Sequence, residues 1–165
     1  MKPIPSTTEI LAYKVLNRNI DEIWIRWAVN MLMAGFDTEH LVELAGASVH
    51  DSHFELQPLT TKALDELNLD YTDKHQIIRN YVSYLILLSL DGITPTIKVL
   101  KIFYDIYFEL DEGSYLEDFA HLYYAKEEEL LNDGVQWYFT SKGNSDIDSI
   151  IHDYFVQWLL QNPVK

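Results

Sequence analysis

The chain contains no cysteine, only 6 glycines and 5 prolines, and 12 basic side chains against 26 acidic ones. Each scarcity excludes something. Without cysteine there is no disulfide framework, thiolate nucleophile, zinc finger, iron–sulfur cluster or CxxC redox pair, and the redox compartment is left open. The shortage of bases gives a formal net charge of -14. Such a chain repels phosphate backbones and anionic membrane surfaces over about one Debye length, roughly 8 Å at physiological salt. Neither nucleic acid nor membrane is expected as a partner. Long apolar runs are also lacking: Tyr81 to Leu90 is the longest nearly apolar stretch, and a spanning helix needs about 20 residues. The opening residues, Met1 to Thr8, have no apolar h-region, so a secretory signal is not expected either. The reading is a soluble, cytoplasmic protein.

What is present is a core-forming composition. Hydrophobic residues make up 48% of 165, and a chain of this length buries roughly 70% of the surface its unfolded form exposes, enough for a self-sufficient core. The periodicity is helical throughout. Ser6-Thr7-Thr8-Glu9 has the form of a capping box and opens a helix to about Leu16. Ile23, Trp24, Trp27, Ala28, Met31 and Leu32 form the stripe of a second, with Ile25, Val29 and Met33 opposite them until Gly35 ends it, which predicts a central helix. Asp37 reads as the N-cap of a third helix to about Ala47, Ser48 to Gln57 as irregular or only briefly helical, and Pro58 as first-turn residue of a fourth through Leu67. Thr72 or Asp73 caps a fifth, closed by Asp91-Gly92, and Thr94-Pro95 opens a sixth running to Asp111. Ser114 starts a seventh, on which Lys126-Glu127-Glu128-Glu129 is expected to face water before Asp133-Gly134. Val135 to Phe139 has strand-like composition but no partner strand and reads as a packed loop, and Asn144 or Ser145 caps the last helix. The sum is an all-α, irregular bundle of about seven or eight helices, a single helical domain over 1–165.

Sequence motifs for catalysis are scarce. Asp37 with His40 and Asp118 with His121 share the i, i+3 spacing of paired ligands, but a di-iron bundle needs E-x-x-H, which does not occur. His50-Asp51-Ser52-His53, with Glu55 nearby, is the densest group of ligand-capable side chains. A zinc or acid–base site there needs a third fixed ligand or an oriented nucleophile, and a polar turn is the simpler account. No nucleophile elbow, zincin motif or glycine-rich phosphate cradle is present. Asp37 to Ser48 resembles the opening of a helix-turn-helix in outline only, since no Lys or Arg follows until Lys62. No catalytic residue, metal ligand or cofactor is assigned.

Charge placement is the most specific signal. Between Asp105 and Asp133 stand ten acids and one base, so nine of the fourteen excess negative charges lie within 29 residues. Such a segment is either a solvated face or complementary to a basic protein, whose encounter rate it would raise. The residues assigned to partner binding are Glu109, Asp111, Glu112, Glu117, Asp118, Glu127, Glu128, Glu129 and Asp133, interleaved with Tyr115, Tyr123 and Tyr124, tyrosine being common at interface hot spots.

Trp27-Ala28, Leu32, Gly35-Phe36-Asp37-Thr38-Glu39, Leu41, Leu44-Ala45, Phe54-Glu55 and Asp70-Tyr71 form a pattern that resembles small acidic all-helical bacterial proteins of unknown function. The likeness runs from about Ile20 onward and lies in helix punctuation and core spacing. It implies the fold and transfers no functional residue. The charge concentration between Asp105 and Asp133 makes the expected function an acidic protein-binding module for a basic protein, in its narrower form an immunity-type inhibitor of a basic toxin or nuclease. Two other classes compete with it. One is a helical scaffold that self-associates as a homo-oligomer through an apolar face, and the other is a metal-assisted enzyme using His50, Asp51 and His53.

Overall fold

The computed structural model describes residues 2–132 and 146–163. Among these residues the protein is all-α, with eight α-helices, one 3-10 turn and no strand. No helix among them is long and apolar enough to cross a membrane. The chain divides into two compact units, Met1–Tyr81 and Val82–Lys165. The first holds α1 (Thr7–Val15), α2 (Glu22–Met33), α3 (Glu39–Ala45) and α4 (His53–Glu66), with the opening turns of α5 (Lys74–Leu90). The second holds the remainder of α5, then α6 (Thr96–Glu109), the 3-10 turn Ser114–Leu116, α7 (Glu117–Leu131) and α8 (Ile147–Gln161).

Four helices stop in the same way. In each, the residue after the C-cap is left-handed: Asn17 (φ 52°) after α1, Gly35 (φ 93°) after α2, Asn68 (φ 53°) after α4 and Gly92 (φ 71°) after α5. Each has the paired bonds of a Schellman motif, as in Gly92 N–H to Ser89 C=O at 3.0 Å and Ile93 N–H to Leu88 C=O at 2.9 Å. Glycine and asparagine serve because both tolerate this region, asparagine through its short polar side chain.

Helix starts depart further from the sequence reading. Ser6 has helical dihedrals and makes no side-chain cap bond, because a capping oxygen reaches the first-turn N–H groups from an extended residue. Glu9 is instead half-buried and accepts from the Tyr13 hydroxyl at 3.4 Å, and burial pushes its carboxyl above the usual range. A side-chain N-cap of this spacing forms at Ser52, whose extended backbone lets Oγ accept from Glu55 N–H at 3.3 Å while donating to the Glu55 carboxylate at 3.1 Å. α4 therefore begins at His53, inside the stretch expected to be irregular or only briefly helical, and Pro58 falls in its second turn rather than its first. Phe54, whose carbonyl loses its helical donor to that proline, is 88% exposed. Thr38 rather than Asp37 occupies the N-cap position of α3, and Pro95 that of α6. Asp73 caps α5, its carboxylate accepting from Gln76 N–H at 3.0 Å. Asp146 caps α8 through Asp148 N–H at 3.1 Å. The expected caps Asn144 and Ser145 lie outside the described residues, as does the loop expected over 135–139.

The core of the first unit gathers Ile10, Trp24, Trp27, Met31, Leu41, Leu44, Leu56 and Leu64. Trp24 and Trp27 meet edge to face at 6.3 Å, and the Trp27 indole N–H donates to Thr7 Oγ1 at 3.0 Å. α2 is not enclosed on all sides as expected: Met33 is 81% exposed and Val29 lies at the surface. In the second unit, Val99, Leu100, Phe103, Ile106, Leu116, Phe119, Leu122, Ile151, Phe155 and Trp158 are buried. Phe119 lies 5.0 Å from Phe103, 5.8 Å from Phe155 and 5.4 Å from Trp158, centroid to centroid. One polar chain runs through this core. Trp158 Nε1–H donates to Ser83 Oγ at 3.0 Å, and that hydroxyl donates to the Asn162 carbonyl at 3.1 Å.

Two stability outcomes follow. Ser83→Ala strands a buried indole donor and should lower the unfolding free energy by about 1–3 kcal/mol, read from urea unfolding followed by tryptophan fluorescence. A Cβ built on Gly92 meets nothing within 4 Å, so the cost of Gly92→Ala is purely conformational. It should be about 1–2 kcal/mol in the same assay.

Candidate functional site

The acidic segment is organised by the α6–α7 pair. Leu110 leaves α6 in an extended conformation, and Asp111 to Gly113 turn the chain into the 3-10 turn, where Leu116 N–H bonds the Gly113 carbonyl at 2.8 Å. The bend is tight: a Cβ on Gly113 would lie 3.1 Å from Leu110 Cβ and 3.2 Å from the Tyr107 carbonyl oxygen. α6 and α7 then pack against one another, burying Phe103 and Ile106 from one, Phe119 and Leu122 from the other.

The predicted site residues divide into three groups. Glu109, Asp111, Glu112, Glu117 and Asp118 are exposed, from the end of α6 through the turn to the first turn of α7. There Glu117 and Asp118 also favour the helix dipole. Glu127, Glu128 and Glu129 are half-buried, as is Lys126, so the expectation that this run faces water is corrected. Asp133 lies outside the described residues.

The half-buried run has partners that explain it. Lys126 Nζ lies 2.6 Å from Glu129 and 2.8 Å from Asp148 in the first turn of α8. Burial pulls the Lys126 ammonium down, but the hydrogen bonds to Asp148 and Glu129 outweigh it and hold its pKa above the usual lysine value. The one base of the segment thus ties α7 to α8. Glu127 is used differently, accepting from the Tyr123 hydroxyl at 2.9 Å.

Around Tyr123 the structure assembles a group that residue counting missed. Tyr104 on α6 packs against Phe108 at 4.9 Å, Tyr123 at 5.0 Å and Tyr124 at 5.1 Å between ring centroids. Its hydroxyl pairs with that of Tyr124 at 2.7 Å. Phe108 is 64% exposed, and Tyr104, Tyr123 and Tyr124 are half-buried. Asp105 pairs with Lys101 one turn earlier, and the Lys101 ammonium sits 5.5 Å from the Tyr104 ring centroid. The Tyr123 hydroxyl is pushed up to about 12, first by burial, then by its bond to Glu127 and the charges of Glu127 and Asp105. The signal for this group was the four-residue spacing of Lys101 and Asp105, Tyr104 and Phe108, Tyr123 and Glu127, which places each pair on one helix face.

The other candidate groups are spent on local structure. His40 Nδ1 lies 2.5 Å from Glu66 and its backbone N–H donates to the same carboxylate at 3.0 Å, so its partner is Glu66 rather than Asp37. Those bonds hold the Glu66 carboxyl below the usual range. Asp118 and His121 are both exposed. Asp51 accepts from Ser48 N–H at 2.8 Å and the Ser48 hydroxyl from His50 N–H at 3.2 Å, a polar turn leading into α4. His53 Nε2 lies 3.4 Å from the Gln57 amide nitrogen. Among the described residues, no group of three or more His, Asp or Glu is placed to hold a metal ion. Comparison with protein-family models, curated proteins and solved structures finds no match to this chain.

A tyrosine whose native pKa lies above its ordinary 10.0 supports the fold while protonated. The contribution of Tyr123 is therefore full below pH 10 and is lost as pH rises toward 12. Glu127→Gln removes the adjacent negative charge and should move the Tyr123 titration down toward 10. Carbon-13 NMR of the tyrosine ring, assigned with Tyr123→Phe, checks the shift.

Proposed function

We propose that this chain is a protein-binding module that docks a basic protein through the acidic and aromatic α6–α7 surface of its second unit. The observation that carries the reading is the concentration of nine excess negative charges between Asp105 and Asp133, five of the acids exposed from Glu109 to Asp118, beside an aromatic group that includes an exposed Phe108. Exposed like charges raise the encounter rate with a cationic partner, and aromatic side chains supply contact area at low entropic cost. The narrower form of the proposal is an immunity-type inhibitor that covers the basic face of a toxin or nuclease. In that role a field of one sign speeds capture, and the partner's nucleic-acid-binding face is the surface it complements.

A second reading, self-association through an apolar helix face, is favoured by Leu130 and Leu131, both exposed at the end of α7. The charge opposes it, because two copies would bring like fields together.

Native mass spectrometry of the protein isolated gently from its own cells, at low and high salt, separates the two. Docking predicts a heteromeric complex with a basic protein that dissociates as salt rises. Association with that protein should slow on Asp111→Lys with Asp118→Lys, which leave the Lys126 clamp and the Tyr123 group intact. An unchanged on-rate overturns the acidic docking surface. A concentration-dependent homo-oligomer without a second chain favours self-association instead.

A further inference from the structure

The α6–α7 aromatic group already seats one cation, its own. Lys101 places its ammonium 5.5 Å from the centre of the Tyr104 ring while pairing with Asp105, so a ring face and a carboxylate are set one residue apart in the geometry that holds positive charge. The seat is firm and its occupant is not. Tyr104 is fixed by Phe108, Tyr123 and Tyr124 and by the hydroxyl pair with Tyr124, so the ring has little rotamer freedom left to lose on binding. The Lys101 and Asp105 side chains are 48% and 43% exposed, and an exposed pair four residues apart on a helix is weak and readily exchanged.

Resting on the docking reading above, we infer that Tyr104 and Asp105 form the seat of an arginine side chain from the basic protein partner, which displaces Lys101 on binding. Arginine fits better than lysine. Its planar guanidinium stacks on a ring while its N–H fork engages a carboxylate, whereas an ammonium does only one of these well at a time. Phe108, exposed against the Tyr104 ring, offers a wall for the arginine's methylene stem. Glu127, held on the Tyr123 hydroxyl at 2.9 Å, adds negative charge to the same patch. Lys101 keeps the ring and carboxylate occupied in the unbound protein and so competes with the partner.

The test is fluorescence anisotropy of labelled oligoarginine and oligolysine peptides of equal length with the whole protein at low salt. Oligoarginine should bind more tightly. Tyr104→Leu should weaken it about tenfold and erase the preference over oligolysine, while Tyr104→Phe, which keeps the ring, retains both. Lys101→Ala should tighten oligoarginine binding by more than Lys98→Ala, which makes the same charge change elsewhere on α6. Equal affinity for the two peptides, or a folded Tyr104→Leu protein that binds as the wild type does, overturns the seat. Should Tyr104→Leu fail to fold, Phe108→Ala and Lys101→Ala decide, and the proposal falls if neither changes affinity. Loss of binding to both peptides in the Asp111→Lys, Asp118→Lys protein with no effect of Tyr104→Leu leaves the docking reading standing and removes the arginine seat. Absence of binding to either peptide also removes the seat, while the docking reading is judged separately on the salt-sensitive complex from cells.

Discussion

Burial of aromatic side chains holds α6 and α7 together against the mutual repulsion of the carboxylates that they and their connecting turn carry, in a segment with ten carboxylates and one ammonium within 29 residues. Two unit charges about 8 Å apart in water repel by roughly 0.5 kcal/mol before salt screening. Burying one large apolar side chain gains about 1.5–3 kcal/mol. Phe103, Phe119, Phe155 and Trp158 sit together under α6, α7 and α8, so the surface can carry an unbalanced charge because the layer below outweighs its repulsion. The Ser83 hydroxyl completes that layer by accepting the Trp158 indole N–H, which would otherwise be buried without a partner.

The carboxylates of the segment are not equivalent. Glu129, together with Asp148 from α8, is committed to Lys126, and Glu127 to Tyr123, and these bonds shape the end of the helix pair. The acids from Glu109 to Asp118 are exposed and make a field at the surface. Separating the two kinds matters for function, since a partner meets the second kind while the first kind decides where the aromatic rings stand. The same division explains why a run such as Lys126-Glu127-Glu128-Glu129, fully polar in composition, is half-buried in the fold. Long charged side chains cover apolar surface with their stems and turn their heads toward one another.

The acidic segment was legible by counting, because charge is a property of composition and needs no geometry. So were the helix count, from the spacing of apolar residues, and the stops at Gly35 and Gly92. The ends at Leu16 and Leu67 were legible too, but not the left-handed conformation of Asn17 and Asn68 that closes them, since asparagine is common in many settings. The two S-x-x-E boxes show the limit most plainly. Ser6 and Ser52 carry the same local pattern, yet Ser6 is drawn into helical dihedrals and Glu9 into a half-buried bond with Tyr13, while only Ser52 keeps the extended backbone a cap requires.

Composition and periodicity, both local along the chain, were enough for the all-helical class, the boundaries of most helices to within a few residues and the place where negative charge accumulates. Tertiary packing alone decided which of those charges remain exposed, that Tyr104 and Phe108 from α6 meet Tyr123 and Tyr124 from α7, and that Asp105 and Lys101 stand at the edge of that group. The physical reason is range. A helix stripe is set by neighbours three and four residues away, whereas a site made of two helices depends on the angle and register at which their side chains interlock, and those are settled by the shapes of residues far apart in the chain.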